Sequence, residues 1–153
     1  MNTPLQDDPQ PGPLRSLTGL RLRRHADYQR AYAASRKRQS ASMAWFLAPQ
    51  SAARADLPLP PAPRVGLTVG KVIGKSHERN RIKRRMREAL RLHVDLFPKG
   101  FDLILHPRRS VMTVEFAKLE AELVRILQQA NADAHRLLQN AKSAAKPADG
   151  PRP

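Results

Sequence analysis

The segment from Lys71 to Arg91 constrains this chain more than any other, because it can pack only as a helix with one narrow apolar side. It holds nine Lys/Arg (Lys71, Lys75, Arg79, Arg81, Lys83, Arg84, Arg85, Arg87 and Arg91) against two acids, Glu78 and Glu88. From Ser76 or His77 to Phe97 the pattern predicts a helix, stopped by Pro98-Lys99-Gly100. With Ile82 at zero degrees, Met86, Ala89, His93 and Phe97 fall within about 60° of it at ~100° per residue. Asn80, Arg84, Arg87 and Arg91 fall on the opposite side, flanked by Arg81 and Lys83. One face is built to dock on a sheet and the other presents guanidinium groups to solvent.

A second block, Arg15 to Arg38, holds eight basic residues against Asp27 alone, so each block is net +7 within a chain of net +15. Charge this concentrated is a footprint for a polyanion. Two acids cannot balance nine cations through i,i+4 pairs, and unbalanced like charges cost the helix stability. A partner is expected to supply the anions. Guanidinium forks grip phosphate bidentately and stack on bases, and the Asn80 amide can donate and accept at a base edge or 2′-hydroxyl. The narrow apolar stripe does not suit a membrane-surface helix. No stretch approaches the ~20 apolar residues of a membrane span, and the polar, Pro-rich start does not resemble a signal peptide. A soluble cytoplasmic nucleic-acid binder is the expectation.

At 153 residues, 41% of them hydrophobic, the chain suits one small domain with loose ends. Residues 1–19 are expected to be a disordered tail, and 51–63, with Pro58, Pro60, Pro61 and Pro63, an exposed connector. His25–Ala34 reads as a short helix with Tyr28 and Tyr32 sharing a face. Met43–Ala48 is a plausible strand. Val65, Leu67 and Val69 alternate along a half-buried strand over 64–70, and Phe101–Leu105 is a second. Thr113 is placed to cap a final helix carrying Phe116, Leu119, Leu123, Ile126, Leu127 and Ala130. Past about Asn140 a loose tail is expected, so 131–153 covers a helix end and that tail. The order α-β-β-α-β-α predicts an α/β (α+β) two-layer sandwich.

Catalytic candidates are thin. There is no cysteine, so thiolate sites are excluded. His25, His77, His93, His106 and His135 show no paired spacing. His93, on the apolar side of the basic helix, reads as structural. His106, at a strand end, has no accompanying nucleophile. Asp95 and Asp102 do not make a carboxylate cluster of the kind that holds Mg²⁺. Tyr28 and Tyr32 fit either a small core or a stacking platform for unpaired bases. Trp45 and Phe46 alternate, so only one of them can join that platform.

Arg79-Asn80-Arg81-Ile82-Lys83-Arg84, followed by Arg87-Glu88, resembles the protein subunit of bacterial ribonuclease P. Arg64-Val-Gly-Leu-Thr-Val69 with Ile73-Gly74, Tyr28-Gln-Arg-Ala-Tyr32 and Phe101-Asp-Leu-Ile-Leu105 extend the resemblance over about Leu20 to Ala130 (domain 20–130). It implies an α/β sandwich with a left-handed βαβ crossover, against the usual right-handed preference. It also implies an endoribonuclease holoenzyme. A catalytic RNA subunit holding Mg²⁺ removes the 5′ leader from precursor tRNA, and one protein per RNA binds both that RNA and the leader. Carried over by position, Arg79, Asn80, Arg81, Lys83, Arg84, Arg87 and Arg91 would contact the catalytic RNA. Tyr28, Tyr32, Phe46, Thr68 and Lys71 would line the leader cleft. Gly70-Lys71-Val72 stands where the family commonly has a serine and two lysines, and both tyrosines stand where phenylalanine is usual. A ribosomal or ribosome-assembly protein is the alternative from another class. An aromatic cleft beside the basic helix discriminates between them.

Overall fold

Trp45 and Phe46 are chain neighbours on opposite faces of one sheet, and that alternation divides the molecule into two unequal layers. The computed structural model describes residues 17–50 and 61–145. In chain order its elements are α1 (His25–Ala34), β1 (Arg38–Gln39), β2 (Met43–Pro49), β3 (Arg64–Leu67), α2 (Ser76–Arg91), β4 (Phe101–Pro107) and α3 (Phe116–Ala145). Short 3-10 turns lie at Thr18–Leu20, Lys71–Ile73, Val94–Leu96 and Arg109–Met112. The strands form one sheet ordered β1-β2-β4-β3. β2 pairs antiparallel with β1 and β4, and β3 runs parallel to β4. A parallel neighbour requires a long crossover, and α2 is that crossover. The α+β sandwich expected from the sequence is therefore present, with the two-residue strand β1 added.

The larger layer buries Met43, Trp45 and Leu47 of β2, Val65 of β3, and Phe101, Leu103 and Leu105 of β4 against α2 and α3. From α2 come Ile82, Met86 and Ala89, which the sequence placed on the apolar stripe, and Leu90, which it did not. From α3 come Leu119, Leu123, Ile126 and Leu127. Each large apolar side chain buried here stabilises the fold by about 1.5–3 kcal/mol relative to exposure. Two polar contacts fix α3 across the sheet end. The buried Glu122 carboxylate accepts from Ser40 Oγ (2.6 Å) and the Ser42 amide (2.7 Å). His93 Nε2 lies 2.7 Å from Glu120.

Among the described residues the opposite face carries α1 and the segment leading into it. Leu22, Ala31, Ala48 and Ile104 form its buried apolar patch, with Tyr28, Tyr32 and Phe46 half-buried on top. A charge network anchors α1 there. Arg64 donates from Nε and a terminal nitrogen to both oxygens of Asp102 (2.8 and 2.9 Å), and its other terminal nitrogen reaches Asp27 at 3.1 Å. Asp27 also accepts from Arg30. Burial opposes the Asp27 charge, but Arg30 and Arg64 outweigh it and its pKa is lowered. The N-terminal segment completes the layer by pairing Arg21 beside Val65 along the outer edge of β3. That covers an edge otherwise open to intermolecular pairing.

Several boundaries differ from the sequence expectation. The basic helix ends at Arg91, not Phe97, because Leu92 and His93 bond to carbonyls three residues back, tightening the last turn. Phe97 reaches the core through the following 3-10 turn instead. Thr113 does not cap α3. The chain makes a 3-10 turn over Arg109–Met112, and the Lys118 and Leu119 amides of α3 bond to the Glu115 carbonyl. The strand expected over 64–70 pairs only to Leu67, although Val69 is buried. Leu17 to Gly19, assigned to the tail, belongs to the described structure, and α3 continues through Ala145 past the expected break near Asn140. The tail at 1–16, most of the connector (51–60) and residues 146–153 lie outside the described residues.

Candidate nucleic-acid interface

Once Ile82, Met86, Ala89 and Leu90 are buried, the turn angle of α2 leaves Asn80, Arg84, Glu88 and Arg91 facing solvent. The cations on this helix divide into two kinds. Arg85 is a brace: its guanidinium donates to the carbonyls of Val111 (2.7 Å) and Val114 (2.6 Å), holding the loop before α3. Arg79 donates to the Gly74 carbonyl and Arg81 to that of Met112, each through Nε, which leaves their terminal nitrogens unassigned. Arg91 is paired with Glu88 at 2.9 Å. Lys83, Arg84 and Arg87 have no ion-pair or hydrogen-bond partner among the described residues.

Glu78, one of the two acids on this segment, does not neutralise any cation of α2. It accepts two bonds from Arg109 (2.7 and 3.1 Å) and one from the Lys75 amide. Arg109 first, then the Lys75 amide, hold its pKa down to about 2. This clasp ties the Lys71–Ile73 turn to the start of α2, with Arg109 also donating to the Ile73 carbonyl. Gly74 allows the close approach. A Cβ there would lie 2.6 Å from both the Arg109 guanidinium and the Glu78 carboxylate.

The other sheet face carries the aromatic residues. Tyr32 lies edge-on to Phe46, ring centroids 5.0 Å apart, and Tyr28 follows at 6.3 Å from Tyr32. Strand parity therefore chooses Phe46 for this face and sends Trp45 into the core, where the Arg38 guanidinium covers its ring at 4.8 Å. Tyr28 lies flat on β3, its hydroxyl donating to the Leu22 carbonyl at 3.2 Å. Burial, then Tyr32, raise the Tyr28 pKa, so it stays a donor. Gly66 is what permits this, since a Cβ at that position would meet the Tyr28 hydroxyl at 2.4 Å.

Beside the aromatic cluster runs an open groove of about 390 Å³, lined by Thr68, Gly70, Val72, Ala44, His106 and Lys37 among others. Thr68 is thus brought to the groove, and Lys71 stands exposed on the turn that forms its wall. Val72 beside it is 94% exposed. Tyr28 lies towards the other end, where a smaller cavity of about 90 Å³ is bordered by Leu22, Tyr28, Lys83 and Arg87. The aromatic face and the cationic helix therefore meet at Tyr28.

Sequence reasoning missed three participants. His106 sits against the cluster, its Nε2 2.8 Å from the Tyr32 hydroxyl and its ring centroid 5.2 Å from Phe46. Strand alternation puts His106 on the face of Ile104, but which face that is follows only from the pairing of β2 with β4. Gly66 and the Asp27–Arg64–Asp102 network left no signal, since they depend on cross-strand register. Among the described residues no group of three or more His, Cys, Asp or Glu side chains converges to hold a metal ion. No helix among them is long and apolar enough to cross a membrane.

The family model described as Ribonuclease P matches residues 18–131, which contain both faces. Among curated proteins, the ribonuclease P protein component of Chloroflexus aggregans is 35% identical over 111 residues, covering 72% of this chain and 76% of that protein. That of Finegoldia magna is 37% identical over a shorter stretch of 68 residues, 44% of this chain and 60% of the relative. Among solved structures, the RNase P protein from Thermotoga maritima superposes with a TM-score of 0.58 at 25% identity, over 71% of this chain and 96% of that one. The Staphylococcus aureus protein shares the fold with the same TM-score at 22% identity, over 72% and 94%. These matches support the ribonuclease P reading and not the ribosomal alternative, and the chain belongs to the ribonuclease P protein family.

Proposed function

We propose that this chain, a ribonuclease P protein component by family, works in the cytoplasm as the RNA-binding half of an endoribonuclease whose chemistry is performed by a catalytic RNA. The observation that carries the reading is the presence of two chemically distinct surfaces that adjoin at Tyr28. Among the described residues Lys83, Arg84 and Arg87 have no anionic partner on α2, while on the opposite sheet face Tyr32 and Phe46 pack against His106, which with Thr68 lines a groove beside the exposed Lys71. A cationic helix face recognises the fixed phosphate pattern of folded RNA. An aromatic cluster beside a groove lined by Lys37 suits a single strand, whose bases stack on the rings and whose phosphates meet the cation.

In this division of labour Arg79, Asn80, Arg81, Lys83, Arg84, Arg87 and Arg91 engage the catalytic RNA, one protein to one RNA. Tyr28, Tyr32, Phe46, Thr68 and Lys71 hold the 5′ leader of precursor tRNA. In this reading the chemistry is the RNA's and the protein's part is binding. Mg²⁺ belongs mainly to the RNA, and fixed guanidinium groups lessen the need for screening cations. The test is reconstitution with a bacterial ribonuclease P RNA at low and high Mg²⁺. The protein alone should cleave nothing, and its stimulation should be largest at low Mg²⁺. Leader removal by the RNA-free protein would overturn the reading.

A further inference from the structure

Resting on the leader-cleft reading above, we propose that His106 is a specificity-determining residue of the cleft, offering a ring N–H to one leader base. Four features of the site lead there. Its ring neighbours Tyr32 and Phe46 belong to the apolar patch of Leu22, Ala31, Ala48 and Ile104, so His106 is a hydrogen-bonding centre at the edge of an apolar cluster. It also borders the 390 Å³ groove, together with Thr68 and Ala44, a volume in the range of small-ligand sites.

The ring is held from two sides. Tyr32 lies 79° to the imidazole plane at 5.7 Å and Phe46 53° to it at 5.2 Å. The Tyr32 hydroxyl engages Nε2 at 2.8 Å. A phenol is a stronger acid than a neutral imidazole, so the hydroxyl donates and Nε2 accepts. That tautomer puts the proton on Nδ1, which has no partner among the described residues. Burial first, then the charge of Lys37, lower the His106 pKa, so the neutral ring is favoured near pH 7. A neutral N–H reads an acceptor on a base edge, such as a keto oxygen or ring nitrogen. The phosphates are left to Lys37 in the groove lining, since the Arg108 guanidinium is taken up by Gln39 and the carbonyls of Ser40 and Ala41.

One neutral hydrogen bond is worth about 0.5–1.5 kcal/mol net, so a base offering the acceptor should be preferred about 2- to 13-fold. Tyr32 acts here as a positioning residue for the tautomer as well as a stacking surface.

The experiment uses holoenzyme reconstituted with a bacterial ribonuclease P RNA. Its substrates are a panel of precursor tRNAs in which one leader nucleotide at a time is A, C, G or U. Wild-type protein should show a preference of that size at one leader position. His106→Leu, which keeps the bulk and loses the donor, should flatten that preference by weakening binding of the precursor with the favoured base about 2- to 13-fold, while precursors with the other bases change little. Tyr32→Phe should also weaken the base preference while retaining the stack, and it remains informative if His106→Leu fails to fold. A uniform loss across all leader sequences in both variants would overturn the proposal, as would an unchanged preference. Absence of any precursor-over-mature preference in the wild type would instead defeat the leader cleft itself.

Discussion

Substituting Gly66 by alanine should disturb the aromatic face through a single contact that can be isolated. Gly66 pairs in register with Ile104, and the added Cβ would stand 2.4, 2.8 and 2.9 Å from Oη, Cζ and Cε1 of Tyr28. Carbon contacts are optimal near 3.5–4.0 Å, so the ring must lift by roughly 1 Å. Tyr28 has little freedom to do so, because its hydroxyl is bonded to Leu22 and its ring packs beside Tyr32. Overpacking costs about 1–3 kcal/mol, and losing the hydroxyl bond accounts for about 0.5–1.5 kcal/mol of that range. Reduced freedom of the unfolded chain returns about 0.4–1 kcal/mol. The net loss should be about 1–2 kcal/mol, a fall of about 2–8 °C in Tm for a domain of this size. In a Tyr28→Ala background the clash has no partner, and Gly66→Ala should become neutral or slightly stabilising. Chemical denaturation of the four proteins in the cycle measures the coupling directly. If the two changes add within about 0.5 kcal/mol, Tyr28 does not depend on Gly66 and the packing argument is wrong. Gly66→Ala should also reduce the precursor-over-mature preference of the folded protein.

Binding to the catalytic RNA should weaken steeply with salt, with a slope of log K against log[salt] steeper than about −4 by counterion release; filter binding across a salt series measures it, and a flat dependence would refute the electrostatic interface. Arg84→Ala should make that slope shallower by about one unit and leave stability within about 0.5 kcal/mol, whereas Arg85→Ala should cost about 1–3 kcal/mol by releasing two loop carbonyls. Tyr32→Ala should weaken precursor binding by the value of one base stack, about 1–3 kcal/mol, without a matching loss for mature tRNA, counted on folded protein only. Asp27 has a lowered folded pKa, so its stabilisation is fully present above the unfolded value near pH ~4 and is lost as pH falls through the folded value. The stability gap between wild type and Asp27→Asn should therefore close on acidification below about pH 4, followed by denaturant melts at successive pH values.

The basic helix was legible from the chain alone because helical geometry is local: a 3.6-residue period fixes which residues can be buried before any partner is known. Ile82, Met86 and Ala89 therefore read as inward and Arg84 as outward, and they are so. Strand alternation is local in the same way, which is why Trp45 and Phe46 could be assigned to opposite faces. Which face held which could not be decided, because parity is set by pairing with β4, some sixty residues away. The same limit hid the roles of His106 and Gly66. Each depends on a ring delivered by α1 across the sheet, and no sequence period encodes that distance. The distinction between arginines is also tertiary. Arg84 and Arg85 are adjacent and chemically identical, yet one faces solvent and the other holds the carbonyls of Val111 and Val114. Sequence thus determined that a cationic helix and a set of aromatics exist, since composition and period are carried by neighbouring residues. Only the folded structure decided which cations lack a partner among the described residues and which rings cluster on one sheet face, because those depend on contacts between residues far apart in the chain.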